Sequence, residues 1–269
     1  MRSLIQCGLF ALALTLVPDS AMAAETGAKT SAKTSAKTAA GGIDHEKQYL
    51  ACIALTYREP WQAFETAETW AGLGGGGAAR HCAAMALLEA KEYDRAAQRL
   101  EALAAALPTD HFPTPGDVLA QAANVWLLGG RPELALQAID LALQYDPKRA
   151  AYLVDRGRIL AEGGDHAGAL SDLERALALD PNDDDAVAFR ASALRHLGRR
   201  DEAMEVINQA LTLNPANPSA RLERGILRLK AGDRDGARAD WLYAAQEHRG
   251  TPAGDAAQSR LQQMELGQK

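Results

Sequence analysis

Three cysteines in 269 residues are too few for a disulfide-dense scaffold or for a zinc site with four cysteine ligands. Catalytic signatures are missing too. The six histidines, at positions 45, 81, 111, 166, 196 and 248, are scattered, and no H-E-x-x-H, G-x-S-x-G or phosphate-cradling glycine loop occurs. The run Gly74–Gly77 lacks a following Lys-Ser/Thr and reads as a flexible joint. These absences argue against an enzyme, so no catalytic residue, metal site or cofactor is expected. Positive charge is not in excess. Lys and Arg number 29 against 35 Asp and Glu, a net charge of −6. Nucleic acid is therefore not the expected partner, because phosphate binding needs clustered cations.

Long apolar runs are absent as well. Leu9–Val17, LFALALTLV, is too short to span a bilayer. It follows Arg2 and precedes Ala21-Met22-Ala23, small residues at cleavage-compatible positions. That is a secretory signal-peptide pattern, with cleavage after Ala23 and a periplasmic or secreted mature protein. The alternative is an uncleaved membrane anchor. Without the leader, no membrane insertion is expected. Ala24–Gly42 is low-complexity, with Lys29, Lys33 and Lys37 inside an A-K-T repeat and no large apolar residue. It reads as a disordered linker. The expected organisation is signal peptide 1–23, linker 24–42 and a folded region 43–269.

The folded region is periodic. In Ala150–Pro181, the residues Gly157, Ala169, Ala176 and Pro181 fall at steps of 12, 7 and 5. The ladder recurs as Ala191, Ala203, Ala210 and Pro215, and earlier as Ala123, Ala135, Ala142 and Pro147. Each unit holds two apolar-periodic runs broken by a glycine turn, at Gly129-Gly130, Gly163-Gly164, Gly198 and Gly232. Small residues at Gly157 and Ala169 let two antiparallel helices approach closely. Asp165 caps a second helix, and Pro60 and Pro132 open others. Such a hairpin cannot bury its own apolar face, so the hairpins must stack. The expected hairpins are 43–72, 78–107, 116–145, 150–179, 184–213 and 218–247, with a final helix at Pro252–Leu266. In the first, Ala51 and Ala63 supply the 12-residue step.

This pattern resembles the tetratricopeptide repeat, a 34-residue helix-turn-helix unit. The resemblance implies an all-α, right-handed superhelical solenoid of about six repeats with a C-terminal capping helix. It also implies a scaffold whose concave face, lined by first helices, grips a protein or peptide partner. By the family pattern the groove residues are Gln121, Asn124, Asp155, Arg158, Glu162, Arg195, Glu223 and Lys230. Arg158 and Arg195 are expected to meet acidic groups of a bound segment. The carboxylate clamp of some tetratricopeptide domains has no counterpart, since its positions carry Gln48, Cys52 and Cys82. An assembly factor of the bacterial cell envelope is the leading reading. A membrane-tethered binding module of a secretion or peptidoglycan-processing machinery is the alternative.

Three further expectations follow. Arg156 and Arg224 each have an aspartate sixteen residues on, Asp172 and Asp240, which suits a salt bridge between paired helices; Arg190 faces Val206 instead and must find another partner or solvent. Trp126 and Trp241 fall on core faces, and His111 and Phe112 lie in a short insertion that either touches a partner or merely rejoins two units. Because the resemblance packs adjacent first helices side by side, Cys52 and Cys82 are either bridged or two buried thiols.

Overall fold

The computed structural model describes residues 44–108 and 113–267. The leader, the linker and the insertion residues His111 and Phe112 lie outside them. The described chain is a row of antiparallel helix pairs: α1 His45–Thr56 with α2 Pro60–Trp70, α3 Gly76–Glu89 with α4 Tyr93–Ala106, and α5 Pro115–Leu128 with α6 Pro132–Tyr145. Then come α7 Ala150–Glu162 with α8 His166–Leu179, α9 Asp184–His196 with α10 Arg200–Leu213, and α11 Pro218–Lys230 with α12 Arg234–Glu247. Helix α13, Pro252–Leu266, closes the row. Among the described residues there is no strand, and the fold is an all-α solenoid.

Local chemistry explains the punctuation. Asp165 accepts a hydrogen bond from the Gly168 amide, and Asp183, Asn217 and Asp233 cap α9, α11 and α12 in the same way. Gly130, Gly164, Gly198 and Gly232 all have positive φ, 72°, 87°, 79° and 90°. They stand one repeat apart and reverse the chain between the helices of a pair. In the second hairpin Lys91 takes that conformation instead, at φ 62°.

Packing follows the ladder. Ala135, Ala169, Ala203 and Ala237 are all fully buried. Trp126 and Trp241 are buried too; their indole N–H groups donate to Glu101 Oε1 at 2.8 Å and to the Leu222 carbonyl at 3.1 Å. Arg156 grips Asp172 through Nε and Nη2 at 2.6 and 2.9 Å, and Arg224 grips Asp240 at 2.8 and 2.6 Å. Arg190 reaches Glu174 at 3.5 Å, on the preceding hairpin, while its buried Nε finds no acceptor.

The first hairpin corrects two expectations. The small residue at its helix crossing is Cys52, not Ala51. Ala51 is exposed, whereas Cys52 is buried with its Sγ 3.9 Å from the Ala63 carbonyl oxygen. The step there is eleven residues; the turn between α1 and α2 has the same three residues as the other turns within pairs, but none of them takes a positive φ. The glycine run is a packed corner rather than a flexible joint. Ala71–Gly75 is a kink, with Leu73 and Gly74 off helical φ/ψ, and a Cβ on Gly75 would sit 2.7 Å from Trp70 Nε1 and from Ala79 Cβ. Only glycine lets the indole lie against the backbone there.

Helix α7 comes as close to α8. A Cβ on Gly157 would lie 2.9 Å from Leu173 Cγ and 3.3 Å from the Ala169 carbonyl oxygen. Gly157→Leu is expected to cost about 1–3 kcal/mol by forcing the pair apart. Leu173→Ala, at a fully buried site, is expected to cost about 2–5 kcal/mol. Urea melts of both variants superimposing on wild type would contradict this packing.

Candidate protein-binding groove

Successive first helices touch one another directly: α1 with α3, α5 with α7, α7 with α9, and α9 with α11. Successive second helices pack far less. The stack therefore curves toward its first helices, which line the inner face. All eight residues expected there lie on first helices.

Most of them are bonded to one another. Gln121 Oε1 is 2.8 Å from His81 Nε2, and His81 Nδ1 is 3.0 Å from the Tyr49 hydroxyl, so one chain of hydrogen bonds crosses α1, α3 and α5. Burial pushes the His81 imidazole below its usual pKa and the Tyr49 phenol above its own. Arg158 donates to Asn124 Oδ1 on the preceding first helix and lies 3.5 Å from Asp155 Oδ1. Burial raises the Asp155 carboxyl despite the neighbouring Arg158. Arg195 Nε donates to Glu223 Oε2 at 2.9 Å, and its Nη2 donates to Ser192 Oγ at 2.9 Å.

The two arginines thus differ from the expectation. Both sit on first helices, but their guanidiniums are engaged within the protein, and a bound acid would have to displace those partners. A residue-level periodicity places side chains on a face without revealing what the next helix sets opposite them. Glu162 and Lys230 are the two that stay exposed, with no hydrogen bond or ion pair among the described residues.

Residues 130–195 match one tetratricopeptide repeat family and residues 184–227 match another. Over residues 130–227 the chain carries tetratricopeptide repeats. No curated protein matches its sequence. Among solved structures, MamA 41-end from Desulfovibrio magneticus RS-1 is similar with a TM-score of 0.52 at 18% identity, covering 65% of this chain and 96% of that one. A crystal structure of MamA gives a TM-score of 0.50 at 19% identity, covering 61% and 94%. At such identity the likeness concerns the fold.

The face of first helices holds two residues that the pattern reading passed over, Tyr49 and His81. Each stands three residues before the small residue of its helix, Cys52 or Ala84. Gln121 and Asp155 stand two before theirs, so the repeat offset alone did not point to Tyr49 and His81. Asp117 is a third. Burial alone would raise its carboxyl, but hydrogen bonds from Tyr152 and Thr114, with Arg149 alongside, hold it below the usual carboxylate range. The first two hairpins are also tied covalently. Cys52 and Cys82 form a disulfide with Cα atoms 6.3 Å apart, closed over by Tyr49, Ile53 and Phe64. Among the described residues no group of three or more His, Cys, Asp and Glu is placed to hold a metal ion. No described helix is long and apolar enough to cross a membrane.

Proposed function

We propose that this chain is an exported protein-binding scaffold of the bacterial cell envelope that takes a partner peptide or domain into the face lined by its first helices. The observation that carries the reading is the ordered row of polar side chains there. Hydrogen bonds from one first helix to the next fix the spacing of that row before any partner arrives, which lowers the ordering cost of binding. Export is supported by the leader pattern ending at Ala23 together with the Cys52–Cys82 disulfide, since disulfides persist in oxidising compartments. A cleaved leader makes the mature scaffold free in the periplasm. A retained one makes it a tethered module of a secretion or peptidoglycan-processing machinery.

The groove is tested with Glu162→Lys combined with Lys230→Glu. Both side chains are exposed, so the fold is expected to survive, and capture of envelope proteins is expected to fall by about tenfold. Undiminished capture by a folded double variant removes the groove as the binding surface. N-terminal sequencing of the periplasmic fraction decides the leader: a chain beginning at Ala24 supports the free scaffold.

A further inference from the structure

The sixth hairpin breaks a charge pattern that the fourth and fifth keep. Arg156, Arg190 and Arg224 occupy the same position on α7, α9 and α11. Each has an inner partner position sixteen residues on, in its own second helix. Each also has an outer one sixteen residues back, in the preceding second helix. Arg156 has a carboxylate at both, Asp172 at 2.6 Å and Asp140 at 2.9 Å. Arg190 has Val206 inside and Glu174 outside. Arg224 has Asp240 inside, but its outer position is Asn208, exposed and neutral.

Two more cations join Arg224. Arg221 and Arg228 stand where the fourth hairpin has Leu153 and Leu160 and the fifth has Val187 and Leu194. Both turn to Asp240, Arg221 Nη1 at 3.3 Å and Arg228 Nη1 at 2.8 Å. Asp233, 3.7 Å from Arg228 Nε, is the other acid in the cluster. Three guanidiniums therefore share two carboxylates. At the corresponding place in the fourth hairpin, Arg156 and Arg175 share Asp140 and Asp172, and the charges balance.

The surplus charge is reachable. Asp240 is 2% exposed, but the side chains of Arg221, Arg224 and Arg228 are 19%, 17% and 30% exposed. Each guanidinium offers five N–H donors in a planar fork suited to a carboxylate. Nη1 of Arg156 donates to Asp140, whereas Nη1 of Arg224 makes no hydrogen bond among the described residues. These three arginines lie on a different face of α11 from Glu223 and Lys230, so the cluster is separate from the groove.

We propose that the junction between the fifth and sixth hairpins binds an Asp or Glu side chain of an acidic segment on a partner protein. That carboxylate takes the place that Asp140 fills one repeat pair earlier. The test uses the mature chain with its disulfide intact and ¹⁵N-labelled arginine, titrated with hexaglutamate at low ionic strength. Saturable shifts of the Nε–H signals of Arg221, Arg224 and Arg228 are expected. Asn208→Asp, which supplies the missing acid from within, is expected to weaken the peptide by about tenfold, while Asn208→Ala leaves it within about twofold. Absence of saturable shifts, equal shifts with sodium chloride at matched ionic strength, or an Asn208→Asp variant that binds like wild type would each overturn the proposal.

Discussion

Replacing Cys52 and Cys82 together by alanine is expected to lower the stability of the N-terminal end by about 3–4 kcal/mol. The bridge closes a loop of 30 residues, and that is the loop-closure entropy its removal returns to the unfolded chain. Alanine is the right replacement, since both sites are buried and a serine hydroxyl would need a partner. The end depends on the bridge because α1 has no preceding hairpin in the described chain. Leu50, Tyr57 and Trp61 remain 61%, 62% and 49% exposed, so the first hairpin leaves large apolar side chains uncovered. The loss is therefore expected to appear as local opening. Amides of α1 and α2 should exchange with solvent orders of magnitude faster in the variant, while those of α7 and α8 keep their rates. Coincident exchange rates for α1 in the two proteins would show that packing alone holds the first hairpin.

Asp240→Asn is the second large effect, at about 3 kcal/mol. The substitution keeps the shape and removes the charge. Arg221, Arg224 and Arg228 would then crowd one another around a neutral amide inside the last hairpin pair. Asp172→Asn is expected to cost less, because Arg156 keeps Asp140 and Arg175 is 52% exposed and can turn to water. Urea melts of the two variants give the comparison directly. A smaller loss for Asp240→Asn than for Asp172→Asn would mean that the three guanidiniums are not held by that carboxylate.

The hairpins were legible because two helices and two turns consume 34 residues whatever their surfaces carry. The small residues at crossings and the glycines at turns have fixed steric reasons, so their spacing maps directly onto helix boundaries. Cys52 shows the limit. Ala51 and Cys52 are both small enough for a crossing, and a turn of unchanged length that lacks a positive-φ residue leaves no mark in composition. The placement of Gln121 to Lys230 on first helices was legible, but not the network that joins them. Whether Arg195 meets solvent or Glu223 depends on the angle between neighbouring hairpins, which periodicity does not encode. His81 escaped notice because its role depends on Gln121, forty residues further on.

The separation between His81 and Gln121 is the longest reach of any side-chain hydrogen bond described above. Among the described residues the next longest, from Arg131 to Asp94, closes over 37. A chain wired so locally has a low contact order and can fold without waiting for its far end. Each hairpin finds its partners in the hairpin just made, so a chain delivered from its N-terminus assembles in the order in which it arrives. The covalent link between the first two hairpins then belongs to the earliest stage of assembly and needs nothing beyond Glu89.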